Sequence, residues 1–230
     1  MFINCIIFSV IALVSPALGT ITEIDLTREQ KDKLIKSFRF KDFYEKEALP
    51  ISLLMFISGI AYSGIVAFIN SYAIEMNLTK AASFFFVVYA IFLFLGRPIA
   101  GKIFDTKGEN IVVYPSFIFF TVSLLLITFA KNGVILLFAG VFLALGYGTI
   151  LSSMQTIVGK VSPPHQLGLA ISTFFICMDA GMGTGPYILG LIVEHFGFHT
   201  MYSILAIAIF FLIPAYYFVH GRTASTLKTS

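Results

Sequence analysis

The sequence predicts an all-α polytopic membrane protein, and three features of the chain support this prediction. First, 58% of the 230 residues are hydrophobic and only 12% are charged, about half the charged fraction of an ordinary soluble domain. Second, seven apolar stretches each approach the roughly 20 residues that a membrane-spanning helix needs. Third, these stretches lack the alternating pattern of a membrane β-barrel, so helices must satisfy the backbone polar groups.

The apolar stretches divide the chain into one isolated helix and a group of six. They cover residues 2–18, 51–73, 81–100, 111–130, 133–155, 168–193 and 199–219. The organisation that we predict is a transmembrane helix at 1–19, a polar loop at 20–50, a six-helix unit at 51–220 and a tail at 221–230.

The first stretch has a second interpretation. Residues 1–20 resemble a secretory signal, with Ala17-Leu18-Gly19 as a small-residue cleavage site. Their first residues contain no Lys or Arg, which is unlike a signal peptide. Cleavage would also place the basic 20–50 loop outside the cell, so a retained helix is the favoured interpretation.

The basic residues predict the orientation of the chain in the membrane. Of the 15 Lys and Arg residues, only Lys80 and Lys131 lie on one side, and the other 13 lie on the opposite side. Because basic residues concentrate on the cytoplasmic side, the 20–50 loop and the C-terminus are expected inside and the N-terminus outside. The expected location is the cell membrane, either the plasma membrane or a bacterial inner membrane.

The end of the third stretch carries a candidate loop signature. Arg97, Gly101 and Asp105 follow one another at four-residue spacing, which places them on one helical face, and Gly108 comes next. Gly101 can permit close helix approach, Asp105 can accept bonds from a helix N-terminus, and Arg97 can balance its charge. A plain basic stop with a glycine turn is the alternative.

The pattern Gly101-x-x-x-Asp105-x-x-Gly108 resembles the loop signature G-x-x-x-D-R-x-G-R-K of the major facilitator superfamily. Thr106 replaces Arg in it, while Glu109 and Asn110 replace the final basic pair. The resemblance implies that the chain is the C-terminal half of a transporter, corresponding to helices six to twelve. It also implies two six-helix halves, a substrate held between them and alternating access by rocking.

The sixth stretch contains a candidate helix-packing motif. Gly181, Gly185, Pro186 and Gly190 match the family's antiporter pattern G-x-x-x-G-P-x-x-G-G, with Leu189 in place of one Gly. Small residues allow close packing of membrane helices, and proline allows a bend. Glycine-rich helices also pack closely in proteins that transport nothing, so the motif has a structural interpretation as well.

Asp179 is the acidic residue near the middle of an apolar stretch, where a charge is costly. It shares a narrow stripe with small or polar residues, which is expected to face protein or a cavity. Asp179 is therefore either a proton or cation site or a buried, hydrogen-bonded structural residue. The residues of the stripe are Gly168, Ser172, Asp179, Gly183, Pro186 and Gly190. Other candidate cavity residues lie on the second stretch, at Tyr62 and Asn70, and on the fifth stretch, at Tyr147 and Gln155.

The predicted function is part of a secondary active transporter. The resemblance favours proton-coupled efflux of small molecules such as drugs or sugars, and the alternative is a half-transporter or remnant that acts only as a membrane interaction partner. The expected partners are a small-molecule substrate, protons, the lipid bilayer and either an N-terminal half or a second copy. No enzymatic activity, cofactor, metal or nucleic acid is expected, since no catalytic, phosphate-binding or metal-ligand motif is present.

Overall fold

The computed structural model describes residues 48–222, and every element in this range is a helix. The first predicted helix, the possible signal, Cys5, nearly all of the 20–50 loop and residues 223–230 lie outside the described residues. The described elements are α1 Leu49–Glu75, α2 Thr79–Lys107, α3 Glu109–Thr128, α4 Gly133–Leu143, a π turn Ala144–Gly148, α5 Thr149–Val161, a 3₁₀ turn Pro164–Gln166, α6 Leu167–Tyr216 and a final π turn Tyr217–Gly221.

Two of the long apolar helices contain an irregular turn. Helices α4 and α5 continue through the first π turn as one apolar rod from Gly133 to Val161. Helix α6 is broken at Gly197, whose φ of 77° and ψ of 170° are not helical. We call residues 167–196 the first arm of α6 and residues 198–216 its second arm. Counted this way, the described chain has six membrane-length helical segments, which supports the predicted all-α membrane bundle.

Local sequence explains where the helices begin and end. Pro50 occupies the first turn of α1, where its missing N–H costs nothing, and Asn77 follows the helix with a φ of 58°. The side chain of Asn132 accepts a hydrogen bond of 3.0 Å from the Ile135 N–H and so caps α4. Gly108, with a φ of 95°, forms the entire connection between α2 and α3.

The segment 97–110, which the sequence suggests to be a loop, is largely helical in the structure. Helix α2 continues through Pro98 and the charged residues as far as Lys107. The apolar run ends earlier than the helix because the last part of the helix is polar. Hydropathy indicates which part of a helix suits an apolar environment, and it does not indicate the residue at which the helix ends. The loop-signature residues Arg97, Gly101 and Asp105 therefore stand on a helix.

The core lies where α1, α3 and the two arms of α6 meet. Its largest fully buried side chains are aromatic, among them Tyr72, Phe117, Phe120 and Tyr202. The Tyr72 hydroxyl donates to the Ile127 carbonyl at 2.6 Å and so joins α1 to α3. The Ser123 hydroxyl donates to the Ala139 carbonyl at 2.8 Å and joins α3 to α4. Such bonds satisfy polar atoms in a core that excludes water.

Candidate functional site

A polar cavity lies between α2, α5 and the first arm of α6. Its volume is about 360 Å³, and it brings three loop-signature residues together with one predicted cavity residue. The side chains and backbone that line it are Arg97, Ala100, Gly101, Phe104, Asp105, Leu151, Ser152, Ser153, Gln155, Thr156 and Phe175. The sequence predicted Arg97, Gly101 and Asp105 as a loop signature and Gln155 as a cavity residue. In the structure all four residues line the same cavity.

The hydroxyls in this cavity are mostly engaged with their own helix. Ser152 donates to the Thr149 carbonyl at 3.1 Å, and Thr156 donates to the Ser152 carbonyl at 2.9 Å. Hydroxyls that bond back to the preceding turn contribute little recognition of a ligand. The lining also contains the Ser153 hydroxyl and the charged and amide side chains of Arg97, Asp105 and Gln155.

The loop-signature residues have different surroundings. Within residues 48–222, Arg97 and Asp105 form no ion pair with each other, and both are exposed. No described atom outside its own helix lies within 4 Å of the position that a Cβ on Gly101 would take. The close helix approach expected at Gly101 is thus not made by any described helix. Gly108 instead supplies the positive φ of the α2–α3 connection, a conformation that L side chains rarely adopt.

A second polar group is a cluster of three tyrosines on α1, α2 and the first π turn. The rings of Tyr62 and Tyr147 stack with centroids 4.0 Å apart and an interplanar angle of 7°. The ring of Tyr89 lies 6.3 Å from that of Tyr62. The Tyr147 hydroxyl also contacts the Met182 sulfur at 4.0 Å, a weak contact with the first arm of α6. The two predicted residues Tyr62 and Tyr147 therefore lie together.

The π turn that carries Tyr147 fits between its neighbours because of its glycines. A Cβ on Gly146 would meet the backbone of Phe120 on α3 at 2.5 Å, and a Cβ on Gly148 would overlap the Leu93 side chain on α2. The widened turn thus sits against α3 on one side and α2 on the other. Single π turns inside helices are frequent at functional sites, since they turn one side chain away from the regular register.

The first arm of α6 has a packing face and an uncovered face. A Cβ on Gly181 would overlap the Phe56 carbonyl oxygen, and a Cβ on Gly185 would overlap the Ser63 hydroxyl, so both glycines lie against α1. Gly190, by contrast, comes only within 3.8 Å of the Phe68 ring, and Pro186 is half-buried inside the helix. The helix-packing motif thus contacts α1 through its first two glycines.

Asp179 lies on the uncovered face of this arm. Asp179, Gly183, Gly168 and Ser172 are all exposed, and only Pro186 and Gly190 of the predicted stripe are half-buried. No described helix covers Gly168, Ser172, Asp179 or Gly183, although the sequence predicts that the stripe faces protein or a cavity. Asn70 is also exposed, on α1, and does not line the polar cavity.

Some residues of the polar cavity and of the tyrosine cluster were not predicted from the sequence. Tyr89 and Met182 join the tyrosine cluster, and Phe104 and Phe175 line the cavity. Tyr89, Met182 and Phe175 stand in apolar runs, where an aromatic or Met residue is ordinary, so no sequence signal distinguishes them. Phe104 lies in the charged segment 97–110, where it was not singled out. The glycine pair Gly146-x-Gly148 was the available clue to the position of Tyr147.

The amino-acid sequence matches the family model of the Major Facilitator Superfamily over residues 51–230. The chain belongs to this superfamily. This agrees with the resemblance of the loop signature and with the helical structure, and the superfamily is one of membrane transporters. The protein is therefore a multi-pass membrane protein of a transporter family.

Several curated proteins are similar to the chain. Multidrug resistance protein MdtG of Salmonella dublin is 25% identical over 172 residues, which is 72% of this chain and 42% of that protein. Lincomycin resistance protein LmrB of Bacillus subtilis is 26% identical, over 70% of this chain and 34% of its own length. Riboflavin transporter RibZ of Clostridioides difficile is 30% identical, over 53% of this chain and 26% of its own length. The chain spans less than half the length of these relatives.

Proposed function

We propose that the chain forms one half of a proton-coupled efflux transporter for small organic molecules. Residues 51–220 would be the C-terminal six-helix half, the substrate would bind between this half and an N-terminal half, and the two would rock about the site. The family membership supports transport as the general function. The observation that carries the finer proposal is the exposure of Asp179 and of Arg97 on surfaces that the described helices leave uncovered.

This placement favours a partner across the uncovered surface. Charged side chains that face lipid are costly, and within membrane proteins they normally face the bundle interior or a water-filled path. Asp179 lies on an arm of apolar sequence and is exposed in the described chain. An N-terminal half, or a second copy of this chain, would cover the arm and leave Asp179 facing a shared cavity.

Asp179 is the residue that we propose for proton coupling. A carboxylate that changes its proton as the cavity opens to either side can couple proton entry to substrate exit. The same pathway would be lined by the stacked rings of Tyr62 and Tyr147 and by the polar side chains of Asn70 and Gln155. The loop-signature residues Arg97, Asp105 and Gly108 would serve the α2–α3 end of the bundle, where the halves are expected to close.

The relatives guide the choice of probe compounds. Their names refer to multidrug resistance, lincomycin resistance and riboflavin transport. A test panel of ethidium, lincomycin, riboflavin and a neutral sugar would therefore separate drug efflux from vitamin or sugar transport. For the chain assembled with the five helices that the resemblance places before it, we expect flux of at least one compound to depend on a pH gradient across proteoliposomes.

The decisive variant is Asp179→Asn, which removes the titrating proton and keeps the side-chain shape. We expect it to abolish gradient-driven flux of the transported probe and to leave the assembled protein folded. The matched control is Glu194→Gln, since Glu194 is an exposed acid farther along the same arm. If Asp179→Asn and Glu194→Gln leave the pH dependence of flux equally intact, the coupling role of Asp179 is refuted.

The isolated chain provides the second comparison. It supplies one wall of the proposed cavity, so it should give no flux above empty vesicles until the preceding helices are added. Robust flux from a chain that cross-links only as a monomer would contradict the half-transporter proposal.

We also propose that the α2–α3 connection and the C-terminus lie in the cytoplasm. The unequal distribution of Lys and Arg supports this orientation. In a chain with Cys5 and Cys177 replaced by Ser, single cysteines at Lys102 and Lys131 test it, because both positions are exposed. An impermeant maleimide added to whole cells should label Lys131→Cys and not Lys102→Cys. Labelling of Lys102→Cys alone would indicate the opposite orientation.

A further inference from the structure

Three helix ends meet around one carboxylate at an end of the bundle. Glu109 opens α3, Lys160 lies in the last turn of α5, and His220 lies in the π turn that follows α6. The His220 Nε2 atom lies 2.5 Å from one Glu109 oxygen, and the Lys160 Nζ atom lies 3.9 Å from the other. The side chains of His220 and Glu109 are only 12% and 15% exposed. The pair is therefore largely shielded from solvent.

The neighbouring residue fastens the backbone of the same helix end. The Asn110 amide donates to the Gly221 carbonyl at 2.8 Å, and its oxygen accepts a bond of 3.0 Å from the Tyr216 hydroxyl. Gly221 itself is buried, and a Cβ there would overlap the Tyr114 hydroxyl on α3. The start of α3 and the end of α6 thus share side-chain, backbone and packing contacts.

Glu109 and Asn110 are the two residues that replace the basic pair of the loop signature. A basic pair at these positions could not accept a bond from His220, and two cations would repel Lys160. The exchange instead gives a carboxylate at a helix N-terminus and cations near two helix C-termini, the arrangement that helix dipoles favour. The departures from the signature are therefore the residues that make this junction possible.

We infer that Glu109 and His220 form a proton-dependent clasp that holds the end of α6 on the start of α3. When His220 is protonated, the bond joins a cation to a carboxylate and is strong. When His220 is neutral, the carboxylate keeps Lys160 but loses the charge of its nearer partner. The clasp tightens as pH falls and loosens as pH rises, and it does so whether or not the transport proposal is correct.

Lysine, arginine and tyrosine side chains ordinarily change charge well above pH 8. In the described part of the chain these are the residue types beside the pair, namely Lys160, Tyr114 and Tyr216, with Lys107 and Arg222 next in sequence. Histidine is the side chain whose ordinary pKa falls between pH 5 and 8. The change in the strength of the clasp across this range is therefore assigned to His220.

Hydrogen exchange of residues 211–222 in the full detergent-solubilised chain tests the clasp. After correction for intrinsic exchange, we expect amide protection roughly five- to tenfold higher at about pH 5.5 than at about pH 8. His220→Gln can still donate a bond but cannot titrate, so its protection should be low and independent of pH. His220→Arg carries a permanent cation, and its protection should vary little with pH.

The matched control is His165→Gln, since His165 is an exposed histidine near the start of α6. This variant should keep the pH dependence of the unmodified chain at residues 211–222. Glu109→Gln removes the carboxylate and should flatten the profile even if a His220 variant fails to fold. The clasp is overturned if the unmodified chain shows equal protection at both pH values, or if His220→Gln retains the original pH dependence.

Discussion

Helices α1 and α2 follow one another in the chain and are similarly apolar, yet they differ sharply in burial. In the most apolar 18-residue window of α1, 56% of the residues are buried, and in that of α2 only 6% are. Helix α1 packs on the first arm of α6, with Gly59, Gly181 and Gly185 at the contact. Helix α2 exposes large side chains such as Phe94, which is 79% exposed.

The difference shows that apolar sequence indicates the solvent of a membrane helix and not its neighbours. Lipid and protein interior are similarly apolar, so burial against protein does not require a more hydrophobic face. In α1 the close contact follows from small residues and backbone approach. In α2 the loop signature and the polar cavity lie on a helix that the described chain leaves mostly uncovered.

The largest expected effect comes from Gly181→Ala, which introduces a Cβ at the α1–α6 contact. The new Cβ would meet the backbone of Phe56 and lie 3.3 Å from the Ile60 N atom, and backbone atoms cannot move aside cheaply. We expect a loss of roughly 1–3 kcal/mol in the free energy of unfolding. Unfolding by SDS in mixed micelles would measure it.

Gly183→Ala is the control for this variant. Gly183 lies two residues along the same arm, and nothing outside its own helix lies within 4 Å of its would-be Cβ. Its change should stay within about 0.5 kcal/mol. Equal losses for Gly183→Ala and Gly181→Ala would mean that the contact with α1 does not explain the role of Gly181, since helix propensity alone favours Ala over Gly.

A smaller effect, in cross-linking yield, would test what covers α2. In a chain with Cys5 and Cys177 replaced by Ser, Phe94→Cys should form cross-linked pairs of copies when the chain is alone in membrane vesicles. Phe94 precedes Arg97 by one helical turn, so it borders the loop-signature face. Adding the preceding helices should suppress these pairs, because an N-terminal half would take the same surface.

Phe211→Cys on the second arm of α6 is the matched position, since Phe211 is 64% exposed. It should cross-link less than Phe94→Cys, and the preceding helices should not change its yield. Similar yields at both positions would indicate random collision in the membrane and would remove the argument that α2 has a specific partner surface.

The smallest expected effect comes from Tyr72→Phe. This change deletes the hydroxyl that joins α1 to the Ile127 carbonyl of α3 and leaves the ring in the core. We expect a loss of about 0.5–1.5 kcal/mol in the free energy of unfolding, the ordinary contribution of one buried hydrogen bond. Tyr187→Phe, at a tyrosine that is 75% exposed, should change nothing measurable. If Tyr72→Phe leaves the free energy of unfolding unchanged, the burial of α1 is stabilised by packing and not by this hydrogen bond.

Much of the candidate site was visible in the sequence as separate residues. The loop signature located Arg97, Asp105 and Gly108, and the polar residues of the apolar stretches located Tyr62, Tyr147 and Gln155. The stacking of Tyr62 on Tyr147 could not be predicted, since it depends on a π turn and on the approach of α1. Tyr89 and Met182 had no signal because their residue types are ordinary in apolar runs.

The sequence also could not predict which glycines make close contacts between helices. Gly181, Gly185, Gly190 and Gly101 all suggest close approach, and the structure places only the first two hard against a described helix. A missing side chain permits a contact but does not create one. Which glycine is used depends on where the neighbouring backbone runs, and that depends on every other contact in the bundle.

The sequence by itself predicted six membrane-length helices within residues 51–220, because a chain in lipid must satisfy its backbone within each helix. It ended the third apolar stretch at residue 100, whereas α2 continues to Lys107. It also determined the family through the loop signature. Only the tertiary structure decided which face of each helix is covered, that Asp179 lies on an uncovered face, and that Glu109 meets His220 across 111 residues of chain. These facts depend on contacts between distant segments, and hydropathy is nearly the same for a face against lipid and a face against protein.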